Sequence, residues 1–140
     1  MSVPYLSFSQ SKTIVMTTQE ATMTTQEVAN RFNELAQSNQ WTEIQDELFS
    51  PDAVSLEPPN SPGMQSVEGI EAIKQKGKQF SEMVEEMHGG YTSAPQVGGN
   101  FFSVAMGMDC TMKGMGRMKM DEIALYEVKD GKIVREQFFY

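Results

Sequence analysis

The chain has 140 residues, 39% of them hydrophobic and 21% charged, the make-up of one globular domain with room for a core. Its formal net charge of −8 repels phosphate backbones and anionic bilayers, so neither nucleic acid nor a membrane is an expected partner. Cys110 is the only cysteine, which excludes an intrachain disulfide, and no run approaches the roughly 18 apolar residues of a membrane span.

Residues 1–23 are rich in Ser, Thr and Gln, show no clean period and are read as an N-terminal tail. The opening stretch lacks the basic start and continuous apolar core of a secretory signal, so the cytoplasm is the expected compartment. A single domain is expected over 24–140. Thr24-Thr25-Gln26-Glu27 fits a capping box, and Val28, Phe32, Leu35 and Ala36 follow at helical spacing until Asn39-Gln40. Trp41, Ile44 and Leu48 mark a second, shorter helix, stopped by Pro51. Asp52 to Glu57 reads as a strand ended by Pro58-Pro59, and the loop to Ser66 is turn-rich. Ile70, Ile73, Gly77, Phe80 and Val84 then share one face of a third helix, with Lys74, Lys76 and Lys78 assigned to its solvated side. Gly77 in mid-helix is expected to mark a close approach to the sheet.

From Glu86 onward the helical period is lost. Gly98-Gly99-Asn100, Lys113 to Gly116 and Lys129-Asp130-Gly131 are turn signals that divide the remainder into about four antiparallel strands. Pro95 marks the first as an edge strand or a bulged one. Asp130-Gly131 predicts a type I′ hairpin turn. The rings of Phe138, Phe139 and Tyr140 are expected to be packed, which places the final strand inside the sheet. Three helices before a meander predict an α+β domain with helices on one face of a curved sheet.

This order resembles the nuclear transport factor 2-like superfamily. The likeness is carried by Phe49-Ser50-Pro51-Asp52-Ala53-Val54 at the helix-to-strand junction, by Gly69-Ile70-Glu71-Ala72-Ile73 at the third-helix start, and by Asp130-Gly131-Lys132-Ile133-Val134 at the last hairpin. Within it the chain is similar to the SnoaL-like group, relatives of polyketide cyclases and ketosteroid isomerase, and its ending Glu136-Gln137-Phe138-Phe139-Tyr140 resembles an uncharacterised subgroup. The resemblance implies a cystatin-like cone, an antiparallel sheet wrapped by three helices, with a pocket at the open end. It implies a small, largely hydrophobic ligand and at most cofactor-free acid–base chemistry such as isomerisation, cyclisation or dehydration. The alternative is a non-catalytic binding module or a dimerisation scaffold, and a homodimer is expected.

Candidate residues follow from that frame. Leu56-Glu57-Pro58 stands where ketosteroid isomerases carry an Asp-Pro general base, the worked case of acidity tuning in such enzymes. A semi-desolvated carboxylate there suits proton removal beside a carbonyl, and Glu57→Gln is expected to raise stability while lowering function. Against this stands an exposed strand-end Glu. The isomerase oxyanion donors map near Phe32 or Asn33, of which Phe32 cannot donate a hydrogen bond, and near Ala124, with Glu122 two residues away. Glu136 shares a face with Phe138 and Tyr140 that the resemblance turns into the cone. It is either an acid or a partner of Arg117 or Arg135. Tyr126 and His88, the only histidine, are possible proton partners, though a lone histidine is more often structural. Asp109 interrupts an apolar strand and either projects into a cavity or is solvated on the outer sheet face. Twelve methionines, eight of them between Met83 and Met120, suit a pliable apolar wall or plain core packing. No phosphate loop, dinucleotide fingerprint or zinc pattern is present in the sequence, so neither cofactor nor metal is expected.

Overall fold

The structure is a computed structural model that describes residues 22–140. The expected tail lies, up to residue 21, outside the described residues. Helix α1 spans Thr25–Gln37 and starts on the predicted box. Glu27 N donates to Thr24 Oγ1 (3.1 Å) and Thr24 N to Glu27 Oε1 (2.9 Å). Two amides that a helix start leaves open are thereby satisfied. Asn39 closes the turn with φ of 57°. Helix α2 covers Trp41–Leu48 and runs directly into β1, Phe49–Leu56. Pro51 therefore does not end the helix but lies within β1, where the pairing with the last strand shifts register between Phe49 and Val54. An irregular stretch suits a residue with no amide to donate.

A two-residue strand β2, Val67–Glu68, precedes α3, Ile70–Met83. Then come β3 (Val84–Thr92), β4 (Gln96–Gly98), β5 (Phe101–Met112), β6 (Gly116–Lys129) and β7 (Lys132–Phe139). The meander thus has one short strand more than expected, because β3 and β4 both pair with β5 across the Pro95 linker. As anticipated, β3 is an edge strand with two register shifts. Asp130 (φ 51°) and Gly131 (φ 77°) form the β6–β7 turn in the left-handed region that Asp-Gly favours.

The sheet order is β2-β1-β7-β6-β5-β3, curved and unclosed. It is not wholly antiparallel as expected: β1 and β7 run parallel, since the chain returns through the whole meander before β7 meets β1. The final strand is interior, but its rings are not all packed. Phe138 is half-buried, while Phe139 and Tyr140 are exposed.

The alternation of β5 and β6 fixes which face is inside. Phe102 and Val104 on β5, and Ala124, Tyr126 and Val128 on β6, form one core with residues of α1, α2 and α3, and Cys110 and Met112 on the same face of β5 are also buried. Phe32 lies at the centre, its ring 4.8 Å from Tyr126 and 5.3 Å from Phe102. Beyond this core the same concave face carries a half-buried strip in which Met108 faces Met120 and Met106 faces Glu122 across the strands. The methionines of these strands therefore line the inside and not the outer face. Gly77 approaches nothing closely. It is exposed, and a Cβ there would meet only Gln45 Nε2, at 3.7 Å, so no sheet contact explains it.

Candidate functional site

Where α3 packs on β1, next to β7 and then β6 in the sheet, polar side chains collect inside the cone. Glu57 follows the end of β1. Its side chain is 4% exposed, so the solvated reading fails. Its Oε2 accepts from Lys76 Nζ at 2.7 Å and its Oε1 from the Tyr140 hydroxyl at 2.8 Å, while Ser66 Oγ receives its amide. Tyr140 also touches Ser61 of the turn-rich loop. Lys76, read from sequence as part of a solvated helix face, is instead 10% exposed and correspondingly central. On a wheel of about 100° per residue, Lys76 falls about 40° beyond Phe80 and Lys74 about 40° beyond Ile70, so both flank the apolar face and the spacing alone does not single out Lys76, while Lys78 lies farther round. Lys74 and Lys78 do meet water, pairing with Asp46 and Glu82.

Lys76 Nζ also donates to Ser55 Oγ at 2.8 Å. Ser55 is fully buried and stands beside Glu136 in the parallel β1–β7 register. Its hydroxyl donates to Glu136 Oε1 at 2.7 Å, and the Tyr126 hydroxyl donates to Oε2 at 3.2 Å. Glu136 therefore pairs with neither Arg117 nor Arg135. Burial pushes its pKa up, against the opposing hydrogen bond from Ser55, the charge of Lys76 and the hydrogen bond from Tyr126. Burial, followed by the Glu136 charge, raises the Tyr126 phenol well above its usual range.

Glu122 completes the group from β6. It is half-buried, and among the described residues no side chain donates a hydrogen bond to its carboxyl. Desolvation first, then repulsion from Glu57 and Glu136, push its pKa up to about 7, with Lys76 opposing. The arrangement is three carboxyls around one ammonium, next to Phe138, whose ring centre is 5.6 Å from Lys76 Nζ, and to the methionine strip. A group titrating near neutrality in such a place can both accept and return a proton.

The remaining sequence candidates are not brought here. Phe32 is 1% exposed and serves the aromatic core. Asp109 projects from the opposite face of the sheet and is held by Arg117 through two 2.9 Å hydrogen bonds, which lower its pKa. His88 contacts Thr111 Oγ1 at 2.8 Å, also outside the cone. A broad polar depression of about 440 Å³ on α1, lined by Glu27, Asn30, Arg31, Asn33 and Glu34, likewise lies away from the carboxyl cluster. Among the described residues no group of three or more His, Cys, Asp or Glu converges as a metal site, and no helix is long and apolar enough to cross a membrane.

Residues 23–140 match the family model for the SnoaL-like domain. The chain belongs to the SnoaL-like family. A Mesorhizobium loti protein described as a candidate SnoaL-like polyketide cyclase is 37% identical and superposes with a TM-score of 0.79, over 84% of this chain and all of that one. A protein with a cystatin-like fold from Xanthomonas campestris (18% identity, TM-score 0.68) and a nuclear transport factor 2-like protein from Burkholderia thailandensis (13%, 0.70) each cover 84% of this chain and 90% of their own. These two show the shared fold alone. No curated protein matches the chain. SnoaL-like membership supports a small-molecule pocket as the working part of the domain.

Proposed function

We propose that this SnoaL-like protein binds a small, largely apolar carbonyl compound in the cone and moves a proton on it without a cofactor, as in an isomerisation, cyclisation or dehydration. The observation that carries the reading is Glu122, a half-buried carboxyl that no side chain among the described residues hydrogen-bonds, with a pKa pushed up to about 7, beside the methionine strip. Glu57 and Glu136 supply the negative field around it, and the hydroxyls of Tyr140 and Tyr126 donate to those two carboxylates. Compared with the isomerase-like assignment, the proton-handling role moves from Glu57 to Glu122, because both Glu57 oxygens are already engaged.

The test is deuterium uptake at the carbon next to the carbonyl, in heavy water, over a panel of polycyclic and aryl ketones. Uptake that Glu122→Gln abolishes supports the reading; no uptake with any ketone, while native mass spectrometry finds a retained ligand, replaces it with a binding module. That second reading is favoured by the full engagement of Glu57 and Glu136. We place the protein in the cytoplasm, where a lone buried thiol such as Cys110 stays reduced. We also propose a two-fold homodimer through the outer sheet face, where Phe101, Ile123 and Phe139 are exposed.

A further inference from the structure

Lys76 is costly where it is. An ammonium withdrawn from water needs an opposite charge and good hydrogen bonds, and the neighbouring Lys74 and Lys78 find their partners at the surface instead. Lys76 has both requirements, and it shares them between two strands. It binds Glu57 Oε2 directly and, through the fully buried Ser55 hydroxyl, reaches Glu136 Oε1. Tyr140 and Tyr126 take the other oxygen of each carboxylate. All four oxygens of Glu57 and Glu136 are thus occupied within one continuous chain of hydrogen bonds, Tyr140–Glu57–Lys76–Ser55–Glu136–Tyr126. Glu122 is within electrostatic reach of this chain but is not a link in it.

We propose that Lys76 is the positioning residue of the site: bonded to Glu57 and acting through Ser55 on Glu136, it fixes two carboxyls in the wall of the cone and leaves Glu122 as the one that meets the ligand. Lys76 itself touches neither ligand nor transferred proton. Its charge is spent on the wall, and it moderates how strongly Glu57 and Glu136 hold the proton on Glu122. The inference rests on the proton-handling reading of the cone, but its test needs no ligand, so the two can fail separately.

The experiment is a carbon-13 titration of the side-chain carboxyls of Glu57, Glu122 and Glu136 in the full chain. In Lys76→Met the Glu122 and Glu136 midpoints move upward, since the opposing Lys76 charge is gone; Lys76→Arg returns them toward the parent. Ser55→Ala moves Glu136 upward and leaves Glu122 in place. A Glu122 midpoint in folded Lys76→Met equal to that of the parent overturns the proposal, as does an unmoved Glu136 in Ser55→Ala. Should Lys76→Met not fold, the parent protein decides. An ammonium held by Glu57 and Ser55 exchanges its protons slowly and gives a resolved nitrogen-15 signal near neutral pH, and fast exchange with water overturns the assignment. Titration shifts in a chain that exchanges no proton with any ketone would leave the lock standing and remove the function.

Discussion

Lys76 Nζ stands 2.7 Å from Glu57 Oε2, with the two side chains 10% and 4% exposed. The pairing reverses an expectation drawn from sequence. An isolated buried carboxylate would cost stability, and Glu57→Gln would relieve that cost. With Lys76 bonded to it, the same substitution strands an ammonium inside the protein. Glu57→Gln should therefore destabilise, toward the lower end of the about 3–5 kcal/mol typical of a broken buried pair. Glu57→Gln combined with Lys76→Met should recover most of the loss. Urea denaturation of the single and double variants measures both.

Stability should also depend on pH through Glu122. Its folded pKa, about 7, is raised from the ordinary glutamate value of 4.5. The folded state therefore holds the proton more tightly. This contribution is complete below about pH 4.5 and is lost as the pH rises through about 7. Glu136 acts with the same sign. Glu122→Gln should flatten the profile, making the variant more stable than the parent at pH 8 with the advantage gone near pH 4. Urea midpoints taken across that range check the sign.

Gly77 offers an independent test of the helix packing. A Cβ there meets only Gln45 Nε2, at ordinary contact distance. Gly77→Ala should stabilise by about 1 kcal/mol through helix propensity and a less flexible unfolded chain. Thermal melting should show a rise of a few degrees, and a fall would mean that α3 packs more tightly than described.

The outer sheet face makes the assembly testable. Ile123 and Phe139 are cross-strand neighbours, 45% and 48% exposed, beside a shallow groove of about 130 Å³ lined by Phe101, Leu125, Glu127, Arg135 and Gln137. Light scattering should give a dimer for the parent, and Ile123→Glu should give a monomer without loss of the thermal transition. A monomeric parent at high micromolar concentration removes the dimer.

Local rules made most of the scaffold legible. The Thr24 box, the Asp130-Gly131 turn and the alternation of β5 each depend on neighbours a few residues away, and sequence displays such neighbours directly. What stayed hidden was long-range. The parallel β1–β7 pairing is invisible to a reading that proceeds hairpin by hairpin. So is the approach of α3 to the end of β1, which converts Lys76 from a surface charge into the partner of Glu57. Glu122 was noticed by its mapped position, but its exposure to the field of Glu57 and Glu136 depends on three strands converging. Asp109 left two readings open, a cavity residue or a carboxylate on the outer sheet face; the outer face is where it lies, and the cross-strand Arg117 that occupies it comes from the register with β6.

The β1–β7 junction also bears on how the protein is made. Ser55 and Glu136 are 81 positions apart in the chain, so their contact closes one of its longest loops. The conformational entropy of that closure must be met before the contact returns anything, which puts the pairing late in folding. An intermediate can hold the β5–β6 hairpin and its core without β7 in place. Such a species would present an open β6 edge to other chains and have no assembled carboxyl cluster. The appearance of the site and the sealing of the sheet are then the same event, and the ability to hold a proton on Glu122 near neutrality becomes a readout of complete folding.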